Sequence, residues 1–312
     1  MQLFETTADE YTNAIPTPLH VFNSAAFNHL NADKVDRVRF LLFRDPKVRL
    51  GLVAGERDGV LSSPFSAPFG GFSYVRADIG VDQLDACVEA LVDWARAERA
   101  RALRMTLPPL MYEQTFLSKT TNALLRAGFE PEACDLNYSF DLRRMAGDYL
   151  GLIWRNARKN LKRAQNHGLV LEPCSSIEEC WGAYEIIRKN REAKGYPLRM
   201  TWKQVERTIE ILKADFFVVR HEDRGIAAAQ VFHVARDIVQ VIYWGELVES
   251  NHLRPMNFLP YELFRHYDGR GGSIVDLGPS TEDSIPNYGL CDFKESIGCD
   301  THLKLRLIKN LA

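Results

Sequence analysis

The 312-residue sequence has no uninterrupted apolar stretch approaching the length of about 20 residues that a helix needs to cross a bilayer, so it predicts no membrane-spanning helix. Its opening residues, MQLFETTADEY, lack both a basic n-region and an apolar h-region. No signal peptide is therefore expected, and the expected compartment is the cytoplasm. The six cysteines, at 87, 134, 174, 180, 291 and 299, form no CxxC pair, which favours reduced core thiols over a disulfide framework. Neither HExxH nor a Walker loop occurs, so a zinc hydrolase and a P-loop enzyme lack support and no metal is expected. Gly278-Pro279-Ser280 is not a nucleophile elbow, because the second glycine is missing. Nor does either charge dominate: 39 Lys and Arg face 41 Asp and Glu, a net charge of −2. Contact with nucleic acid then requires a local patch.

What is present suits ordinary packed cores, with 46% hydrophobic and 26% charged residues. The length exceeds that of a common single domain, so two domains or one duplicated fold are expected. In the first half, a short helix at 24–30 precedes strands at 35–43 and 48–54, with Asp45-Pro46 as the turn. The Pro/Gly/Ser-rich stretch 62–74 carries Phe65, Phe69, Phe72 and Tyr74; packing is the favoured reading and a substrate-facing wall the sharper one. Leu84, Cys87, Val88, Leu91, Trp94 and Ala95 recur at helical spacing and predict a helix from Asp82 to about Ala100. A strand at 102–107, a helix at about 113–127 ending at Gly128 and a strand at 130–142 follow.

The second half opens on a basic helix, about Leu152 to Asn166, with Arg155, Arg158 and Lys162 on one face and a narrow apolar stripe of Ile153, Ala157, Leu161 and Ala164. Such a run is either a solvated face or a set of cations for phosphate or carboxylate groups. Ser176-x-x-Glu179 and Thr201-x-x-Gln204 are capping-box patterns opening two more helices. Their expected buried faces are Cys180, Trp181, Tyr184 and Ile187, then Val205, Ile209 and Leu212. Strands at 216–220, 226–235 and 238–246 follow, then a helix from Pro255. This order of strands, helix, strand, helix ending at glycine and last strand echoes the first half, so the chain reads as two copies of one α/β unit.

The most informative stretch is Ser273 to Gly298, SIVDLGPSTEDSIPNYGLCDFKESIG. It reads as a strand, Ile274 to Leu277, broken at Gly278-Pro279, then a polar loop of Ser280, Thr281, Glu282 and Asp283. Pro286 is placed near the start of a helix ending at Gly298, and a final strand runs from Thr301 to Ile308. Ligands of α/β folds collect beyond such strand ends. Asp276-Leu277-Gly278, Ser280-Thr281, Asn287, Gly289-Leu290, Phe293-Lys294 and Ile297-Gly298 together resemble the closing segment of the acetyltransferase-like (GNAT superfamily) domains related to the Fem peptidyltransferases. Trp154-Arg155-Asn156-Ala157-Arg158-Lys159-Asn160 resembles the helix that opens the same domain, so the motifs bracket about half the chain, residues 150–308.

The resemblance implies two tandem GNAT-like domains, 1–148 and 149–312, each a mixed, largely antiparallel sheet flanked by helices, the second carrying the active site. It also implies acyl transfer to an amine, with a fourth strand, Gln240 to Glu246, separating from the fifth to receive the donor. On that basis Lys294 is expected to stabilise an oxyanion or hold the donor, although an isolated lysine on a short helix would point into solvent. Glu246 and Tyr243 are expected to take or relay the amine proton. Arg254, Met256 and Asn257, at a helix start that can bind pyrophosphate, form the donor site with Asn287 and Phe293. Arg155, Arg158, Asp276, Ser280 and Thr281 are candidate substrate-binding residues, with helix capping as the plainer role of the hydroxyls.

The expected donor is acetyl-CoA or another acyl-CoA. Residues 251–257 nevertheless lack the glycines of the usual coenzyme A loop. The alternative is a Fem-like aminoacyl or peptidyl transferase using aminoacyl-tRNA and a cell-wall precursor, and a third reading is a binding module without catalysis. Neither the acceptor amine nor the oligomeric state is encoded legibly.

Overall fold

The polar N-terminus folds at once. Residues Gln2–Thr6 form strand β1 and Ala8–Ala14 form helix α1, whose capping box joins the Thr7 side chain to the Glu10 amide and the Glu10 carboxylate to the Thr7 amide. The computed structural model describes residues 1–311. After β1 and α1 the order is α2 (Ala25–Leu30), β2 (Arg37–Arg44), β3 (Val48–Arg57), β4 (Val60–Ser63), β5 (Phe72–Tyr74), α3 (Val81–Ala97), β6 (Ala102–Thr106), α4 (Gln114–Arg126) and β7 (Glu130–Asp141). Then come α5 (Tyr149–Leu152), α6 (Arg155–Asn166), β8 (Val170–Pro173), α7 (Ile177–Ala193), α8 (Trp202–Ile209), β9 (Ala214–His221), β10 (Arg224–Ala235) and β11 (Ile238–Glu246). The chain closes with α9 (Pro255–Asp268), β12 (Ile274–Pro279), β13 (Thr281–Glu282), β14 (Ile285–Pro286), α10 (Tyr288–Ser296) and β15 (Asp300–Asn310).

Two units result. The first comprises Met1–Leu136, Glu282–Ile285 and the chain from His302 onward; the second comprises Asn137–Thr281 and Pro286–Thr301. In the first, the strand order is β1-β2-β3-β4-β6-β15, with β5 added to β3. Phe69 and Phe72 are 0% and 2% exposed, so these aromatics of the 62–74 stretch pack rather than face a substrate. Leu84, Cys87, Val88 and Leu91 line the buried face of α3 as their spacing predicts.

The second unit runs β7-β12-β11-β10-β9-β8, antiparallel except for the parallel pair β11–β12. That pair is parallel because α9 crosses over between its strands. Successive residues of β9 face opposite sides, and both sides are covered. Phe216 joins a cluster with Tyr184 and Ile187 of α7, Val205 of α8, and Val218, Ala228 and Tyr243 of the sheet. Phe217 meets His266 of α9, and Phe264 of α9 stacks on Phe140 of β7 at 4.1 Å. Fully burying such a side chain is worth about 1.5–3 kcal/mol, so the sheet is held from both faces.

Four local expectations are corrected. Trp181 is 50% exposed, and the inward positions of α7 are Ala183, Tyr184, Ile187 and Asn190. The basic helix does not run unbroken from Leu152: α5 ends there, Ile153 turns extended, and α6 starts at Arg155. Pro286 lies in β14 rather than in the helix, whose cap is Asn287. The polar residues 280–283 are not all loop, because β13 and β14 flank a turn at Asp283-Ser284, both at positive φ.

Candidate active site

The site begins where two strands part. β11 pairs with β10 out to Glu246, but pairs with β12 only at Ile238, Val239 and Gln240, opposite Ile274, Val275 and Asp276. Beyond Gln240 the β12-facing edge of β11 has no ladder partner among the described residues. A register shift of β12 against β7 follows directly, between Asp276 and Gly278, and Gly278 adopts φ +71°. Across the opening, Trp244 of β11 meets Phe293 of α10 edge to face at 5.9 Å.

Lys294 is 1% exposed, so the solvent-pointing geometry does not occur. Its Nζ donates to the carbonyl oxygens of Leu277, Gly278 and Pro279 at 2.8, 2.8 and 3.0 Å. The ammonium lies 5.4 Å from the centre of the Tyr138 ring. The left-handed turn at Gly278, which a β-carbon would strain, is what aims three successive carbonyls at one cation. Three carbonyl dipoles and an aromatic face thus surround the Lys294 side-chain nitrogen at the strand end where β11 and β12 part.

Beside it, Asp276 is fully buried. Its Oδ1 accepts from Asn137 Nδ2 and the Gly278 amide, both at 2.8 Å, and its Oδ2 from Gln240 Nε2 at 2.7 Å. The second polar atoms of those amides, Asn137 Oδ1 and Gln240 Oε1, and the hydroxyl of Ser280, are buried with no hydrogen-bond partner among the described residues. Such atoms are rare in folded proteins because each forfeits its hydration. Thr281 is buried as well, while Asn287 is exposed and caps α10, its Oδ1 accepting from the Leu290 amide at 3.1 Å and its Nδ2 donating to Tyr196.

At the end of β11, Glu246 is half-buried. Burial lifts its carboxyl above the ordinary value, against the pull of Lys194, the Met256 amide and Arg254. Its own carbonyl accepts from Asn190 Nδ2 of α7 at 2.6 Å. Tyr243 is 8% exposed, its phenol pushed up by burial, with the guanidinium of Arg191 5.1 Å from the ring centre. Arg254, at φ 61°, is the residue before α9, and Pro255 takes the first helical position. Arg155 is exposed on α6, and Arg158 turns back toward the Ile153 carbonyl at 3.4 Å.

The expected residues thus fall into three groups. Asp276, Ser280, Thr281 and Asn287 gather at the end of β12 and the start of α10, and Lys294 reaches them from the last turn of α10. Tyr243, Glu246, Arg254, Met256 and Asn257 gather at the end of β11 and the start of α9. Gln240–Asp276 and Trp244–Phe293 tie the two groups together. Arg155 and Arg158 lie on α6, whose preceding residue Trp154 donates its amide to the Ser296 carbonyl at the end of α10 at 2.9 Å. Sequence reading missed Gln240, Asn137, Asn190 and Arg191. A lone amide inside the apolar run IVQVIYW, and Asn190 three residues beyond Ile187 on the inward face of α7, were the available signals.

No family model matches the sequence. No curated protein matches it either. Solved structures do: FemX aligns with a TM-score of 0.72 at 14% identity, over 99% of this chain and 97% of that one. The chain has the tandem GNAT-like fold of FemX. The C-terminal domain of a putative lysylphosphatidylglycerol synthetase from Agrobacterium fabrum aligns at 0.63 and 12% identity, covering 97% and 93% of the two chains. A tandem GNAT protein from the clavulanic acid biosynthesis pathway aligns at 0.52 and 11%, covering 100% and 98%. At these identities the likeness shows the fold and says nothing of substrate. Among the described residues no group of three or more His, Cys, Asp and Glu is placed to hold a metal, and no helix is long and apolar enough to cross a membrane.

Proposed function

We propose that the second unit is an N-acyltransferase that passes an activated acyl group to an amine. The observation that carries this reading is the free edge of β11 beyond Gln240, bounded by Trp244 and Phe293 and flanked by a buried ammonium and a half-buried carboxylate. Unpaired amides along that edge can hold the donor carbonyl and stabilise the oxyanion of the tetrahedral intermediate. Lys294 adds positive charge at the same strand end. Glu246, with its raised pKa, is suited to take the proton from the attacking amine, and Tyr243 to relay it. The buried acceptors Asn137 Oδ1 and Gln240 Oε1 suit an N–H donor.

Acyl-CoA remains one donor for such a site, but the start of α9 favours an aminoacyl ester carried on tRNA. Pyrophosphate would need close backbone approach at residues 251–257, which contain no glycine, and the Met256 amide already interacts with Glu246. The test is a pair of transfer assays on the full chain, one with acetyl-CoA and one with aminoacylated tRNA, each with a panel of amines, alongside thermal melts. Turnover from tRNA alone supports the ester donor. Saturable stabilisation and turnover with acetyl-CoA alone restores the thioester donor. Absence of both would leave a binding module and overturn the acyltransferase reading.

A further inference from the structure

Two of the six free cysteines, Cys174 and Cys180, are placed unlike the others. Burial pushes the thiols of Cys87 and Cys299 up, away from the reactive thiolate. Cys174 and Cys180 are only half-buried, and their side chains meet. Cys174 directly follows β8, where its amide donates to the Phe216 carbonyl of β9 at 2.8 Å and so extends the ladder of that sheet edge. Cys180 is the fourth residue of α7, its amide donating to the Ser176 carbonyl at 3.0 Å. Between them the Ser176–Glu179 capping box fixes where the helix starts. Both side chains pack on one cluster, which includes Tyr184, Ile187 and Val205 of the helices with Phe216 and Val218 of the sheet.

The turn from edge strand to helix thus brings the Cys174 thiol into a hydrogen bond with the sulfur of Cys180. That bond holds Cys180 below the ordinary thiol value and Cys174 above it, with burial adding to the rise at Cys174. Glu179 opposes ionisation of both, and Arg220 favours it at Cys174. Ser175, Ser176, Glu178 and Glu179 around the pair are exposed, so a small reagent can reach it from solvent.

We propose that Cys174 and Cys180 form a redox modification site, a dithiol that a small-molecule disulfide converts into an internal disulfide clipping the start of α7 to the sheet edge. The Cys180 thiolate attacks one sulfur of the reagent, forming a mixed disulfide and releasing one thiolate. Cys174 then attacks the Cys180 sulfur and releases the second. Two electrons pass from the pair to the reagent, and the two protons of the pair end on the released thiolates. An accessible attacking thiolate with a resolving thiol beside it is the arrangement that this exchange needs. The sulfurs are already neighbours, so closing a bond of about 2.05 Å asks for side-chain rotation rather than movement of β8 or α7. At its far end α7 carries Asn190 and Arg191, against the carbonyl of Glu246 and the ring of Tyr243, so the clip fastens a helix that borders the candidate site. The thiol chemistry itself does not depend on the transfer reaction proposed above.

The test incubates the folded full chain with oxidised glutathione, traps free thiols with iodoacetamide and maps the tryptic peptides. Arg163 and Arg188 bracket a peptide, residues 164–188, that holds both cysteines and no other. It should become lighter by two hydrogens, resist alkylation and regain both thiols with dithiothreitol. Closing so short a loop should raise Tm by about 5–10 °C. Cys174→Ser should stop at one glutathione on Cys180, and Cys180→Ser should take up glutathione more slowly. Full alkylation of the peptide in the oxidised parent, or glutathione retained on it without closure, would overturn the proposal whether or not the variants fold. Equal glutathione uptake by the two variants would overturn it by erasing the division between attacking and resolving thiol. A closed disulfide that leaves Tm unchanged would overturn the clip.

Discussion

Replacing Lys294 by methionine keeps the length of the aliphatic stem and removes only the ammonium. Three carbonyls then lose their common donor in a place water does not reach, Lys294 being 1% exposed. Each buried acceptor left without a partner costs about 1–3 kcal/mol, a gross loss of about 3–9 kcal/mol. Removing the buried ammonium returns part of this, because desolvating an ion costs several kcal/mol. A net loss of about 2–5 kcal/mol is a large part of the roughly 5–15 kcal/mol that stabilises a domain. It should appear as a drop of about 5–15 °C in Tm by far-UV circular dichroism, at about 2–4 °C per kcal/mol. Acyl transfer, assayed well below the new Tm, should fall as well, since the carbonyls of 277–279 and the end of β12 would lose their anchor. A variant within about 1 kcal/mol of the parent would refute the stapling argument. Were it also inactive, the lysine would belong to the chemistry alone.

Two pH effects follow from groups that burial shifts in opposite senses. A protonated Glu246 cannot accept the amine proton, so kcat/KM should rise with pH through an inflection above the ordinary carboxyl value of 4.5. In Glu246→Gln that ascending limb should vanish with most of the activity, and a limb that persists would assign the base elsewhere. In the first unit His20 is 1% exposed with its pKa pushed down to about 3 by burial. The unfolded chain therefore takes up the proton first, and stability falls as pH drops from about 6.5 toward 3, by about 2–3 kcal/mol at pH 4.5. Urea melts across that range should show a shallower acid limb in His20→Gln, and an unchanged slope would rule His20 out as its source.

How much of this was readable in the sequence depended on how local the cause was. β11 was legible to the residue, Ile238 to Glu246, because an apolar run bounded by a turn and a carboxylate needs no distant partner to declare itself. The caps of α7 and α8 were legible for the same reason, and the Thr7–Glu10 box that opens α1 carried an equal signal that went unused. β8, four mostly exposed residues on a sheet edge, offered no periodicity at all. Trp181 is hydrophobic yet half exposed, and the inward face of α7 closes instead on Asn190, whose amide donates to the carbonyl of Glu246.

The candidate site is legible in the sequence as a motif and not as a geometry. Asn137, Gln240 and Asp276 lie far apart in the chain and meet only because the register of β7, β12 and β11 sets them side by side. Motif resemblance pointed to Lys294, but its inward turn depends on carbonyls supplied by another element. Gly278 joins these facts. The β11–β12 ladder stops at Asp276, the register against β7 slips before Gly278, and the positive φ there gathers the carbonyls of 277–279 on Lys294. The turn that seats the buried cation therefore lies where the pairing of β11 with β12 ends. A site of this kind must be designed as strand end and cation together, because an ammonium buried without those carbonyls would be expelled or neutralised.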